Sequence, residues 1–178
     1  MNSKINELMS TEERIKILGD VLFKESIKVS ETARRLKLSK GLVSKYFDIL
    51  LKGDVLKKKG FVFLVKENYK VRGLKIMFNV LGLPQIFGKY KFVRGAGLYG
   101  SAAKGMNTIE SDLDLWIKVD KTKEEELARL NSELSEKVKN VNVLILDEEK
   151  IKEIKKDEMF YYSLFFGSVI LYGENNEI

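Results

Sequence analysis

At 178 residues, 44% of them hydrophobic and 33% charged, the chain has apolar material for one domain or two small ones. It contains no cysteine and no histidine, which excludes disulfides, zinc or iron–sulfur ligation by Cys or His, and Ser-His-Asp or Cys-His catalysis, so any metal must bind oxygen ligands. The formal charge of +6 is unevenly placed: residues 1–90 carry 19 Lys+Arg and 9 Asp+Glu, residues 91–178 carry 13 and 17, an asymmetry that points to a nucleic-acid-facing module joined to something else.

No signal peptide, membrane-spanning run or lipidation motif is visible, so the cytoplasm is the expected location and no membrane partner is expected. In chain order, Ser10 and Glu13 have capping-box spacing and predict a helix carrying Ile15, Leu18 and Leu22 on one stripe. Ser30 is placed to cap a short helix through Leu36, and Ser39 to cap another to about Lys52, with Lys37-Leu38 between them. Ala33 allows close helix packing, Val43, Phe47 and Leu50 form the core stripe of the second helix, and Gly53 is a stop signal. Val55-Leu56-Lys57-Lys58, a turn at Lys59-Gly60, and Phe61 to Val65 read as a hairpin.

Three helices followed by a basic hairpin resemble a winged helix-turn-helix domain over roughly residues 10–66. The resemblance implies double-stranded DNA as a partner. Lys40, Gly41, Ser44 and Lys45 would meet the major groove, and Lys57, Lys58 and Lys59 would point a wing at backbone phosphates. The competing reading is a solvated face on a helical dimerisation domain, which leaves a homodimer open. Asn68 to Leu81 then carries Val71, Leu74, Met77, Phe78 and Leu81 at helical spacing, a linking helix closed by Leu83-Pro84. The expected division is a first domain over 1–67, a linking helix over 68–88 and a second domain over 89–178.

In that second domain Leu98-Tyr99 ends a buried strand, and Gly100-Ser101 forms a tight turn. After ten intervening residues, Asp112-Leu113-Asp114 opens a strand to Val119. Its alternation places Asp112, Asp114 and Trp116 on one face, with Leu113, Leu115, Ile117 and Val119 on the other, buried face. Two adjacent carboxylates repel, and a divalent cation between them relieves that repulsion. Mg²⁺ (or Mn²⁺) fits, because such an ion is held by one or two carboxylates plus substrate phosphates. Ser101 and nearby N–H groups would donate to phosphate oxygens, and Lys104 would neutralise a further charge.

Gly95-Ala96-Gly97-Leu98-Tyr99-Gly100 also matches the dinucleotide fingerprint literally, but Ser101–Ser111 has no sustained helical period and leaves no room for the helix that fingerprint needs. Farther on, Lys121–Val138 is a charged helix with Leu127, Leu130 and Leu134 on one stripe, and Val141–Asp147 is a strand. Phe160, Tyr161, Tyr162, Phe165 and Phe166 form an aromatic cluster, more simply explained by packing or a dimer surface than by base stacking.

The spacing from Gly100-Ser101 to Asp112-Leu113-Asp114, with Ala103-Lys104-Gly105 and the closing Gly167-Ser168-Val169-Ile170-Leu171-Tyr172-Gly173, resembles the polymerase-β-type nucleotidyltransferase superfamily over roughly residues 90–173. Members that transfer nucleotides carry a third carboxylate on a later strand. Alternation here puts Asn142 in that phase, while Asp147 would reach it only through a register shift. The expected fold class is α+β, a winged helix-turn-helix followed by a nucleotidyltransferase-like mixed β-sheet with flanking helices. The expected function is Mg-dependent transfer of a nucleoside monophosphate from a nucleoside triphosphate to a hydroxyl of a protein or small molecule. Asp112 and Asp114 would act as catalytic metal ligands, and Gly100, Ser101 and Lys104 as the nucleotide site. The alternative is a winged-helix DNA-binding transcriptional regulator with a catalytically weak or inert nucleotide-sensing domain.

Overall fold

The computed structural model describes residues 3–138 and 140–173; the outer ends of the expected first and last domains lie outside the described residues. The chain forms two compact units, residues 1–75 and 76–178. The first contains α1 (Ser3–Leu8), α2 (Glu12–Val21), β1 (Ser26–Ile27), α3 (Val29–Leu36), α4 (Lys40–Lys52), β2 (Leu56–Lys59) and β3 (Val62–Val65). Its core is built by Ile17, Leu18, Val21 and Leu22 from α2 and its end, Ala33 from α3, and Val43, Tyr46, Phe47 and Leu50 from α4. Tyr46 donates its hydroxyl to the Leu8 carbonyl at 2.7 Å, and burial pushes that phenol's pKa up.

Local signals were displaced by a residue or two. Thr11, not Ser10, caps α2 by accepting from the Arg14 N–H, while the Ser10 hydroxyl accepts from the Arg14 guanidinium. Either hydroxyl satisfies the capping pattern, and the backbone entry angle selects Thr11. Ile15 is exposed, because the buried stripe runs through Ile17, Leu18 and Val21. Ser30 lies inside α3, whose N-cap is Lys28, without a side-chain cap. Ser39 does cap α4, accepting from the Leu42 N–H at 3.2 Å. At the end of α4, Gly53 is the C-cap and Asp54 takes the left-handed conformation, φ 64°. The hairpin turn is Gly60-Phe61, since Lys59 pairs with Val62. β1 adds to the other side of β3 and gives the order β1-β3-β2, all antiparallel.

Across α2 and α3, Arg35 grips Asp20 with two guanidinium nitrogens at 2.7 and 2.5 Å, and Lys24 adds a third bond at 2.6 Å. Burial pushes the Asp20 pKa up, but the Arg35 and Lys24 hydrogen bonds outweigh it and hold the carboxyl below its ordinary range.

α5 (Tyr69–Val80) begins at Asn68, whose side chain accepts from the Val71 N–H, and crosses the boundary between the units. It stops at Val80, so Leu81 is exposed rather than on a buried stripe. Pro84 opens the separate turn α6 (Pro84–Phe87) instead of closing α5, because proline's missing N–H is harmless at a first helical position. The second unit continues with β4 (Val93–Leu98), α7 (Gly100–Ala103), β5 (Leu113–Val119), α8 (Glu124–Lys137), β6 (Val141–Leu146), α9 (Glu148–Ile154), α10 (Glu158–Gly167) and β7 (Val169–Tyr172). The sheet order is β6-β5-β4-β7, with β5 and β6 parallel and the other pairs antiparallel. α8 supplies the crossover that a parallel pair requires.

Both faces of this sheet are covered. Leu113, Leu115, Ile117 and Val119 pack with Leu130 and Leu134 of α8 and with Ile86 and Phe87 of α6. On the other face Trp116 joins Leu146, Ile154 and Leu164, with Tyr161 and Phe165 against them. Trp116 therefore does not project beside open carboxylates as alternation alone implied; α9 and α10 bury it, and its indole N–H donates to Ser168 Oγ at 2.9 Å. Gly97 makes the room, since a Cβ there would sit 2.5 Å from the indole ring. The aromatic cluster is divided: Tyr161 and Phe165 pack inward, while Tyr162 and Phe166 stay exposed and stack on each other at 6.0 Å. Among the described residues no helix is long and apolar enough to cross a membrane.

Candidate active site

The pairing registers bring the chemistry to one end of the four-stranded sheet. β4 ends there, and β5 and β6, running parallel, begin there. Asp114 is the second residue of β5, and its backbone carbonyl accepts from the Tyr99 N–H at 2.9 Å, so the strand that delivers Gly100 is fastened beside the acid. Asp112 lies just before β5, not within it, and is exposed; Asp114 is half-buried.

Gly100 opens α7 with φ 68°, a conformation that L side chains seldom adopt. Its α-carbon faces Asp114 so closely that a Cβ would stand 2.6 Å from Oδ2. The sequence-predicted turn is therefore a cradle of bare backbone against a carboxylate. Ser101 is exposed on the first turn of α7 and Lys104 is exposed at its C-cap, where the loop toward Asp112 begins. The four-residue α7 also removes the dinucleotide reading, because Gly95 and Gly97 belong to β4 and no long helix follows them.

β6 places Asn142 directly opposite Asp114, and the Asn142 amide donates to Asp114 Oδ1 at 3.2 Å. Thus Asp114 Oδ1 holds the amide while Oδ2 faces the Gly100 cradle. Asp147 is excluded from this end: it follows β6 at the opposite end, about 16 Å along a strand from Asn142, and caps α9 by accepting from the Lys150 N–H at 2.7 Å. No register shift occurs between β5 and β6 over the pairs from Leu113↔Val141 to Lys118↔Leu146. Among the described residues no group of three or more acids stands close enough to hold a metal. The Tyr99 phenol beside the site has its pKa pushed up, first by burial and then by the Asp114 charge.

Sequence reasoning missed the support of the loop. Asn79 at the end of α5 donates to the Ala102 carbonyl at 3.0 Å and exchanges amide hydrogen bonds with the buried Asn107 at 3.0 and 3.1 Å. The Met106 N–H donates to the Ser101 carbonyl at 2.9 Å, and Thr108 and Ser111 close the segment before Asp112. These bonds fix the loop carrying Ser101 and Lys104. Nothing local in the sequence joins residues 28 positions apart.

The seven basic or small residues expected to face DNA are in the first unit. Lys40, Gly41, Ser44 and Lys45 share the exposed N-terminal half of α4, and Lys57, Lys58 and Lys59 are exposed on β2. Phe61 at the hairpin tip is almost fully exposed.

Residues 82–177 match the sequence model of the family described as Polymerase beta, Nucleotidyltransferase. No curated protein matches the chain.

Proposed function

The chain belongs to the polymerase beta nucleotidyltransferase family, and from that premise we propose that its second unit transfers a nucleoside monophosphate from a nucleoside triphosphate to an acceptor oxygen. The family supports nucleotidyl transfer and a triphosphate donor at that level of description. The observation that carries the reading for these residues is the close approach of Gly100 to Asp114 Oδ2 beside Asp112 at one end of the sheet. An oxygen donor of Asp114 next to bare backbone, with the exposed Asp112 two residues before it, fits a hard divalent cation with a polyphosphate. Asp112 and Asp114 would hold Mg²⁺ or Mn²⁺, which when bound supplies charge neutralisation and a template for in-line attack.

The other residues act on the triphosphate directly. Gly100 lets the turn close against Asp114 and present backbone N–H groups to phosphate oxygens, the Ser101 hydroxyl donates to one of them, and Lys104 offsets negative charge as the acceptor oxygen bonds to the α-phosphorus and pyrophosphate departs. The acceptor class is a hydroxyl of a protein or small molecule. Asn142 is neutral and takes no proton, so the hydroxyl proton leaves to solvent or to a group the acceptor brings.

For the first unit we propose a winged helix-turn-helix that binds double-stranded DNA. Its support is the Ser39-capped α4 with an exposed basic start and the lysine-bearing hairpin joined by β1. A second reading of the whole chain, a DNA-binding regulator whose second unit senses a nucleotide without turning it over, is favoured by Asn142 standing where a carboxylate would serve as base.

Calorimetric titration of each nucleoside triphosphate, with and without Mg²⁺, tests the core of this proposal. Metal-dependent binding that disappears in Asp112→Ala/Asp114→Ala is expected; no binding to the unmutated chain would sink it. Release of pyrophosphate in the presence of an acceptor separates the transferase from the sensor.

A further inference from the structure

We propose that this site is built to hold one divalent cation with its nucleotide, and that Asn142 is the residue that sets that number. The inference rests on the metal–nucleotide reading above and deepens it. A pair of cations in a phosphoryl-transfer site sits about 3.5–4 Å apart, and their mutual repulsion must be offset by carboxylates placed between and beside them. Here the residue on the strand next to Asp114 brings no charge. The unbroken register of β5 and β6 holds Asn142 opposite Asp114, and its Nδ2 donates to Oδ1 at 3.2 Å.

That hydrogen bond has two consequences. It uses one lone pair of Asp114 Oδ1 on the β6 side, so a cation would draw mainly on Oδ2 at the Gly100 cradle and on the exposed Asp112. It also turns N–H hydrogens toward the place where a second cation would need a negative oxygen. No other acid compensates: Asp147, the next one along β6, caps α9 at the far end of the strand, and no group of three acids occurs among the described residues. Asp112 and Asp114 are then the two anionic protein donors, a set that suits one divalent cation at the cradle. The neighbouring position, faced by an amide, stays without one.

The prediction is numerical and does not depend on turnover. The 178-residue chain is mixed with an equimolar triphosphate whose α–β bridge is a methylene group, and Mn²⁺ is titrated in while electron paramagnetic resonance follows free and bound ion. The expected result is one Mn²⁺ per protein–nucleotide complex, with the spectrum of an isolated ion that changes in Asp112→Ala/Asp114→Ala. Asn142→Asp should add a second Mn²⁺ and produce the broadened spectrum of a spin-coupled pair, whereas Asn142→Ala should stay at one. A coupled pair in the unmutated chain would overturn the inference whatever the variants do, and so would an Asn142→Asp protein that folds, by circular dichroism and Trp116 fluorescence, yet still holds a single ion. Mn²⁺ spectra indifferent to Asp112 and Asp114 would overturn the metal–nucleotide reading itself, and the inference with it.

Discussion

Lys40, Lys45, Lys57, Lys58 and Lys59 in the first unit project from elements whose buried sides are already complete, so their heads are exposed and their removal leaves the core untouched. Gly100 and Asp114 in the second unit are different: the acid is half-buried, and the glycine is in contact range of its carboxylate with a positive φ. One surface is decorated onto a fold, while the other site is part of how strands and turn fit together. A charge on a finished surface acts at long range and one residue is nearly interchangeable with the next. A cradle acts over a few ångströms and fails on one added atom.

The largest expected effect is at the cradle. Gly100→Ala places a Cβ against Asp114 Oδ2, and nucleotide binding should fall by about 100-fold or more, equivalent to about 2.7 kcal/mol, in the Mg²⁺-dependent titration. Retention of near-normal affinity would show that the close approach is packing and not a binding surface.

Next in size is the ion pair that ties α2 to α3. Asp20→Ala should lower stability by about 2 kcal/mol, less than for a fully buried pair because Arg35 is partly in water, while leaving nucleotide affinity unchanged. Chemical denaturation followed by circular dichroism measures it. The Asp20 pKa is lowered in the folded protein, so its contribution is present above the ordinary carboxylate pKa, about 3.9, and is lost as pH falls through the folded value. The difference between unmutated and Asp20→Ala stability should therefore shrink in acid.

A smaller effect is expected at the hairpin. Replacing Lys57, Lys58 and Lys59 together by Ala should flatten the salt dependence of DNA binding by up to about 2.7 units of slope, if each lysine neutralises one phosphate, with nucleotide binding untouched. An unchanged slope would break the comparison by removing the hairpin from any phosphate contact. Smallest is the cap: Ser39→Ala, which removes the bond from the Leu42 N–H, should cost about 1 kcal/mol of stability.

Much of this is legible in the sequence. Val43, Phe47 and Leu50 repeat at helical spacing and are buried, because a helix has one stripe to hide and the sequence shows where it is. The alternation of Leu113, Leu115, Ile117 and Val119 located a strand for the same reason. The cap of α2 slipped by a residue where Thr11 competed with Ser10, since either short hydroxyl satisfies the same local pattern and the approach of the preceding chain chooses between them; α3 starts at Lys28 with no side-chain cap, so Ser30 falls inside it.

What the sequence by itself determined was every interaction written into a local period: the amphipathic elements, the glycine-serine turn, the paired acids ten residues beyond it, and the phase that made Asn142 the residue to watch. Tertiary structure alone decided which strands are neighbours. The parallel pairing of β5 and β6 put Asn142 on Asp114 and sent Asp147 to the opposite end, α9 and α10 covered the face that Trp116 shares with the acids, and Asn79 met Asn107 across the loop. Contacts between residues far apart in the chain depend on how whole elements fill space against one another, and a window of ten or twenty residues carries no record of that packing.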